Sequence, residues 1–197
     1  MKLQEITKIV SQTTSAINFA EFDIDNAQLV AHAEGGLPVI KAKNKNSSDT
    51  FLFFVVVDNK NVACVVGSMV NQFNHTFFVI YRAWTDPDYR LRGYMTALYV
   101  ALVKHVGLKI LSDKQQSPEM VSLWKQLNNI RPVKVIDTTT GTIIDRNQVT
   151  DTEVYNDGDQ YRLLLEHTND TWIPDIDSNV VADYMIYTHP DNTGKFE

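Results

Sequence analysis

"TFFVIYRAWTDPDYRLRGYMTALYVALVKH", residues 76–105, changes its hydrophobic period in mid-course. Thr76 to Trp84 are rich in β-branched and aromatic side chains, the composition of a strand within a sheet. From Tyr94 to His105 the chain is almost wholly apolar and helix-permissive, as expected of a helix pressed onto a sheet, and Gly107 suits its C-terminus. Between them "TDPDYRLRG" carries a proline, two arginines and a glycine. A short loop leading from a strand into a helix lets successive backbone N–H groups converge on an anion. The helix N-terminus adds partial positive charge there, and Arg90 and Arg92 add full charges. Spacing alone leaves two readings open: a phosphate-holding loop, or two solvated arginines before a helix whose turn Gly93 relaxes. No Gly-Lys-Ser/Thr follows, so this is not a Walker A loop. A dinucleotide fingerprint would need more glycines and a βαβ frame.

Upstream, "FLFFVVV" (51–57) and "VACVVGSMV" (62–70) read as two further strands, separated by the turn residues "DNKN" (58–61) and followed by a second turn, "NQFNH" (71–75). Together with 76–84 they form an antiparallel meander of long, largely buried strands. Gly35-Gly36 breaks the chain before a strand at Leu37–Lys43, and "NKNSSD" (44–49) is a polar loop. Residues 3–16 and 24–33 carry mixed apolar spacing without strong breakers and are expected to be helical.

Downstream, "LKILS" (108–112) is a short strand. "SPEMVSLWKQLNN" (117–129) is a helix with Ser117 as N-cap, Pro118 at its first position and Glu119 in its first turn. Arg131-Pro132 ends it, "VKVIDTTTGTIID" (133–145) is a hairpin around Gly141, and "QYRLLLEH" (160–167) is the last strand. "EVYNDGDQ" (153–160) reads as a turn, since Tyr155 stands where a calcium loop needs a ligand and no closing glutamate follows. The expected architecture is α+β: a mixed, mostly antiparallel central sheet with a parallel strand pair and flanking helices. Residues 1–167 form one domain, and 168–197 a polar, Asp-rich tail or arm. Its Trp172, Tyr184 and Tyr187 could dock on the domain or on a second subunit, so a homodimer is open.

Composition bounds the function. With 197 residues, 44% hydrophobic and 21% charged, the chain can bury a core without staples. A net charge of −6 argues against a nucleic-acid partner. The single Cys64 lies in an apolar strand, reads as a buried small hydrophobe and fits a reducing, cytoplasmic setting. The first 20 residues hold no continuous apolar stretch, so no signal peptide is expected, and no run is long enough to span a membrane. His32, His75, His105, His167 and His189 show no metal-ligand spacing, so no metal is expected.

The stretch 81–127 resembles the acetyl-CoA-binding core of the GNAT superfamily of N-acetyltransferases. Their hallmark is a strand, often followed by Pro-x-x-Arg, then Arg/Gln-x-x-Gly-x-Gly/Ala opening a helix; here Pro87, Arg90, Gly93 and Met95 stand at those positions. The next strand and helix follow, with Ser117 and Trp124 where the family carries a small polar residue and an aromatic. The pattern extends over about 51–127, and "RLRGYMTALY" also resembles small phage-encoded relatives.

This resemblance implies a fold in which the strand before the loop splays from its parallel neighbour and the pantetheine arm lies in the opening. Arg90, Leu91, Arg92, Gly93, Tyr94, Met95 and Thr96 would hold the pyrophosphate, Trp84 and Thr85 would flank the arm, and Ser117 and Trp124 would face it from the other side. It implies transfer of an acetyl group from acetyl-CoA to an amine of an unknown acceptor: a protein lysine, an N-terminus or a small amine. Tyr81 and Asp113 are the candidates for proton handling, each with a plainer role as a packed aromatic and a loop or capping residue. By strand alternation only one of Tyr81 and Arg82 can point to a given face. Three departures stand out. Met95 replaces a Gly or Ala, Ser117 a frequent asparagine, and Trp124 a tyrosine that often protonates the leaving thiolate, which an indole cannot do. An alternative is a relative without turnover, a binding or assembly protein in which Met95 and Trp124 close the cleft. A third reading, transfer to a nucleic-acid base, would need an exposed basic groove.

Overall fold

The computed structural model describes residues 17–155 and 160–167. The helix expected at 3–16 and the tail aromatics lie outside them. Nine strands among the described residues form one sheet: β1 (Gln28–Ala33), β2 (Leu37–Lys43), β3 (Thr50–Val57), β4 (Lys60–Gln72), β5 (His75–Thr85), β6 (Ile110–Leu111), β7 (Lys134–Asp137), β8 (Ile143–Asp145) and β9 (Tyr161–Leu165). Their spatial order is β1-β2-β3-β4-β5-β6-β9-β7-β8. The β5–β6 pair runs parallel, while β1 to β5 form an antiparallel meander, and β6–β9, β9–β7 and β7–β8 are antiparallel too. The expected α+β sheet with a parallel pair is the observed one.

Turn chemistry sets the meander. Asp58 and Asn59 have φ of 48° and 61°, and Phe73 and Asn74 have 52° and 60°. Each pair supplies the two left-handed residues of a two-residue hairpin, whose twist matches that of the strands. Residues 28–33 depart from expectation: they are a strand, not a helix. Gly35 and Gly36, with φ of 71° and 74°, turn the chain so that Gln28–Ala33 can pair with β2. Backbone pairing with a strong neighbouring strand overrides a weak local preference.

Alternation along the strands sorts side chains onto two faces. One face carries Phe53, Val55, Val65, Phe78, Ile110, Leu163 and Leu165, and three helices pack on it. These are α1 (Tyr94–Lys104), α2 (Pro118–Ile130) and α3 (Asp151–Tyr155). Helix α3 replaces the start of the turn expected at 153–160. On the other face, Ile17, Phe19, Phe22 and Ala27 cover Ile40, Leu52, Phe54 and Cys64. A smaller group, Phe77, Leu111, Ile136 and Leu164, lies on that face farther along the sheet. Cys64 is fully buried, and burial pushes its thiol up to about 12, which makes it a core residue rather than a nucleophile.

Candidate functional site

Strand β5 is paired unequally on its two sides. Towards β4 it is laddered from His75 to Thr85; towards β6 it pairs only at Phe78↔Ile110 and Val79↔Leu111. Strand β6 parts from β5 after Leu111, while the next residue stays bound to β9. Ser112 N–H donates to the Leu163 carbonyl at 2.9 Å, and Ser112 Oγ accepts from Leu163 N–H at 3.0 Å. Arg162 Nε donates to the Ser112 carbonyl at 2.7 Å, and Nη2 donates to the same oxygen. Beyond this point the chain turns through 113–116, with Gln116 Nε2 donating to the Asp113 carbonyl, and begins α2.

A cleft of about 320 Å³ opens in the resulting wedge, lined by Ile80, Tyr81, Arg82 and Ala83 of β5, by Ser112 and Asp113, by Ser117, Met120 and Trp124 of the α2 region, and by Tyr99 of α1. A β-bulge shapes its β5 wall. Val66 pairs with Arg82 but Gly67 with Ile80, so Tyr81 is an extra residue. A Cβ on Gly67 would lie 2.4 Å from the Val79 carbonyl and 2.7 Å from the Phe78 ring, so this close crossing needs glycine. The bulge resets the alternation. Tyr81 and Arg82 both line the cleft, together with Ile80 and Ala83 on either side of them. Trp84 is turned to the far face, where it packs against the cluster that contains Cys64. It is not among the residues that line the cleft.

At the end of β5, Asp86 and Pro87 start a short 3-10 turn, Pro87–Tyr89. Leu91 (φ 59°) and Gly93 (φ 75°) are both left-handed, a backbone of the kind that forms an anion-binding concavity. Leu91 is 70% exposed at the tip. Gly93 is the N-cap of α1 and offers no side chain to its first turn. The first intrahelical bond runs from Ala97 N–H to the Gly93 carbonyl, so the N–H groups of Tyr94, Met95 and Thr96 have no acceptor within the helix. Arg90 is exposed, with Nε 3.5 Å from the Thr85 carbonyl, and the Arg92 guanidinium lies over the Tyr89 ring at 5.3 Å. Two side chains of this stretch turn inward. Met95 packs half-buried against the main core, and the buried Thr96 hydroxyl donates to Gln126 Oε1 on α2 at 3.1 Å.

On the opposite wall Ser117 caps α2, its Oγ accepting from Met120 N–H at 3.3 Å. Glu119 is held below its usual range by its own backbone N–H first and by Ser117 next, with Arg90 adding to this. Trp124 is 1% exposed at the cleft floor. It lines an open cleft rather than closing it, and Met95 is not part of the lining. Sequence reasoning missed Tyr99 and Arg162. Tyr99 was readable only as one hydroxyl in an apolar helix; Arg162, as a cation inside an apolar strand, was a signal that a buried carbonyl needed it. Gly67, a lone glycine in a strand, was the trace of the bulge.

A strand splayed from its parallel neighbour, a left-handed loop at the strand's end and a helix beginning on that loop define the fold of acyl-CoA N-acyltransferases. Residues 14–114 match the model of the acetyltransferase (GNAT) family. That match spans just over half of the sequence, and the chain belongs to this family. Among solved structures, the Bacillus subtilis N-acetyltransferase YlbP in complex with coenzyme A is similar at 16% identity and a TM-score of 0.39, over 59% of this chain and 67% of that one. No curated protein matches the sequence.

Proposed function

We propose that the protein transfers an acetyl group from acetyl-CoA to an amine. The observation that carries this reading is the wedge: a cleft between β5 and the end of β6, on the strand whose own end runs into a loop and helix N-terminus suited to an anion. Residues 90–96 would hold the pyrophosphate through backbone N–H groups, with Arg90 supplying charge. The open edge of β5 beyond Val79 would pair with the amides of the pantetheine arm, as an added strand would. The acceptor amine must lose a proton, its nitrogen bonds to the thioester carbon, the C–S bond breaks, and the sulfur takes up a proton. Asp113 and Tyr81, both exposed and both lining the cleft, are placed to accept or relay the amine's proton. Most of the acceleration would come from positioning. The acceptor is a small amine, an N-terminus or a protein lysine.

The test is titration calorimetry of acetyl-CoA into the wild type and Arg90→Ala, followed by turnover against a panel of amines. Micromolar binding, weakened at least tenfold or about 1.4 kcal/mol by Arg90→Ala, supports the loop as the pyrophosphate site. No binding at millimolar cofactor ends the reading. A second reading, a family member that binds but does not turn over, is favoured by Trp124 in the cleft lining, whose indole N–H donates a hydrogen bond but is too weak an acid to protonate a thiolate. Tight binding without product from any amine would select it.

A further inference from the structure

Two charged side chains line the cleft, Arg82 on β5 and Asp113 after β6. Asp113 is already engaged. Its Oδ1 accepts from Lys114 N–H at 2.7 Å, and its charge acts on the buried guanidinium of Arg162. Arg82 is exposed, and its guanidinium makes no hydrogen bond or ion pair among the described residues. Acidic residues outnumber lysine and arginine in the chain, 24 to 18, yet none of those described pairs with this group. A guanidinium left free in a cleft whose other lining, Asp113 apart, is uncharged is suited to an anion that comes from outside.

Register decides which ligand that anion belongs to. Arg82 is paired with Val66, and Trp84 with Cys64. Val66, Cys64 and Trp84 belong to the cluster on the face away from α1 and α2. Cross-strand partners share a face, so Arg82 stands on that side, as does Ile17 of the lining. The 90–96 loop opens α1, which packs on the other face. Arg82 is therefore across the sheet from the loop proposed for the donor's pyrophosphate, and it is left for the acceptor. Chemistry narrows the acceptor further. A planar guanidinium matches a carboxylate through two parallel hydrogen bonds, while the lining holds no second cation to neutralise a phosphate dianion. The same charge repels a second ammonium group, which counts against polyamines and lysine-rich peptides. Asp113, on the same cleft, attracts the amine. The volume of about 320 Å³ is at the low end of small-molecule sites, about 300–1,000 Å³, and the acetyl end of the donor must share it. The acceptor is small.

We infer that the acceptor is a small amine carrying a carboxylate, of the amino-acid type, with the carboxylate on Arg82 and the amine towards Asp113. This rests on the acetyl-CoA reading of the cleft. The test is acetyl transfer to the free amino acids, β-alanine and γ-aminobutyrate, each beside its own carboxamide, with 1,3-diaminopropane and ethanolamine phosphate as further arms. Wild type, Arg82→Lys and Arg82→Ala are compared by kcat/KM, and calorimetry follows acetyl-CoA binding to each. In the wild type at least one carboxylate is expected to exceed its carboxamide tenfold or more, the scale of hydrogen bonds to a charged group. Arg82→Ala should bring that ratio to about one. Arg82→Lys should keep part of it, since an ammonium retains the charge without the planar fork. Acetyl-CoA affinity should hold in both variants, because Arg82 is across the sheet from the donor's loop. Several results overturn the inference alone, given a wild type that binds acetyl-CoA. They are carboxamides or diaminopropane used at least as well as the carboxylates, ethanolamine phosphate as the sole acceptor, or no turnover across the panel. An Arg82→Ala that lowers carboxylates and carboxamides equally, or that weakens acetyl-CoA, overturns it too. Failure of the wild type to bind acetyl-CoA overturns both this inference and the function it rests on.

Discussion

The two halves of β5 differ on one side only, and that side makes the site. From Phe77 to Val79 the strand lies between neighbours, with Phe77 and Phe78 fully buried. From Tyr81 to Ala83 it keeps β4 as a partner, has no partner in β6, and is exposed along the cleft. Both halves have the composition of a buried strand, so the difference comes from the neighbour. Ser112 spends its backbone groups and hydroxyl on β9 and Arg162, and the chain then leaves the sheet. That edge is open to water along the cleft, and on the proposed function the amide groups of the donor would pair with it.

The comparison is most directly broken at Arg162. Burial pulls its guanidinium below its ordinary value, and Asp113 opposes that pull. Arg162→Met leaves the Ser112 carbonyl without its donor, and denaturant unfolding should show a loss of about 2–3 kcal/mol together with weaker acetyl-CoA binding. If stability held, the early end of β6 would need another cause. Gly67→Ala attacks the bulge instead. Its Cβ would meet the Val79 carbonyl at 2.4 Å, so β4 and β5 must separate, with an expected loss of about 1–3 kcal/mol and faster amide exchange at Val79 to Arg82. Unaltered exchange there would mean that the bulge does not depend on glycine.

Smaller changes sharpen the contrast. Ser117→Ala removes the cap of α2 and should cost about 1 kcal/mol, read as a lower melting temperature with the β5–β6 pairing intact. The smallest effect lies away from both halves, in the β7–β8 turn. Asp137 is held below its usual carboxylate range chiefly by the backbone N–H of Thr139, with Thr140 adding to it. A carboxyl depressed in the folded state contributes stability that is complete above its unfolded pKa and disappears as pH falls through the folded one. The melting difference between wild type and Asp137→Ala should therefore be steady near neutrality and shrink on acidification below the ordinary carboxylate range. A difference that ignores pH would assign the effect to turn geometry alone.

Local chemistry by itself determined the meander, both turns, helix α2 with its Ser117 cap, and the strand–loop–helix passage around Gly93. Each follows from residues close together in sequence: β-branched runs, Asp-Asn and Phe-Asn turns, and a switch from period 2 to period 3.6. The family resemblance was legible for the same reason, because the loop that carries it is short. Tertiary structure alone decided the rest. A one-residue bulge at Tyr81 reverses every later side chain of β5, and it put Trp84 on the face of Cys64 where an unbroken alternation would have put it with Phe78 and Ile80. Gln28–Ala33 became a strand because β2 was there to pair with it. Thr96 was drawn inward by Gln126, thirty residues away, and Ser112 was held by Arg162, fifty residues away. A sequence pattern records the period of an element; it does not record which distant partner will claim a hydrogen bond or shift a register by one.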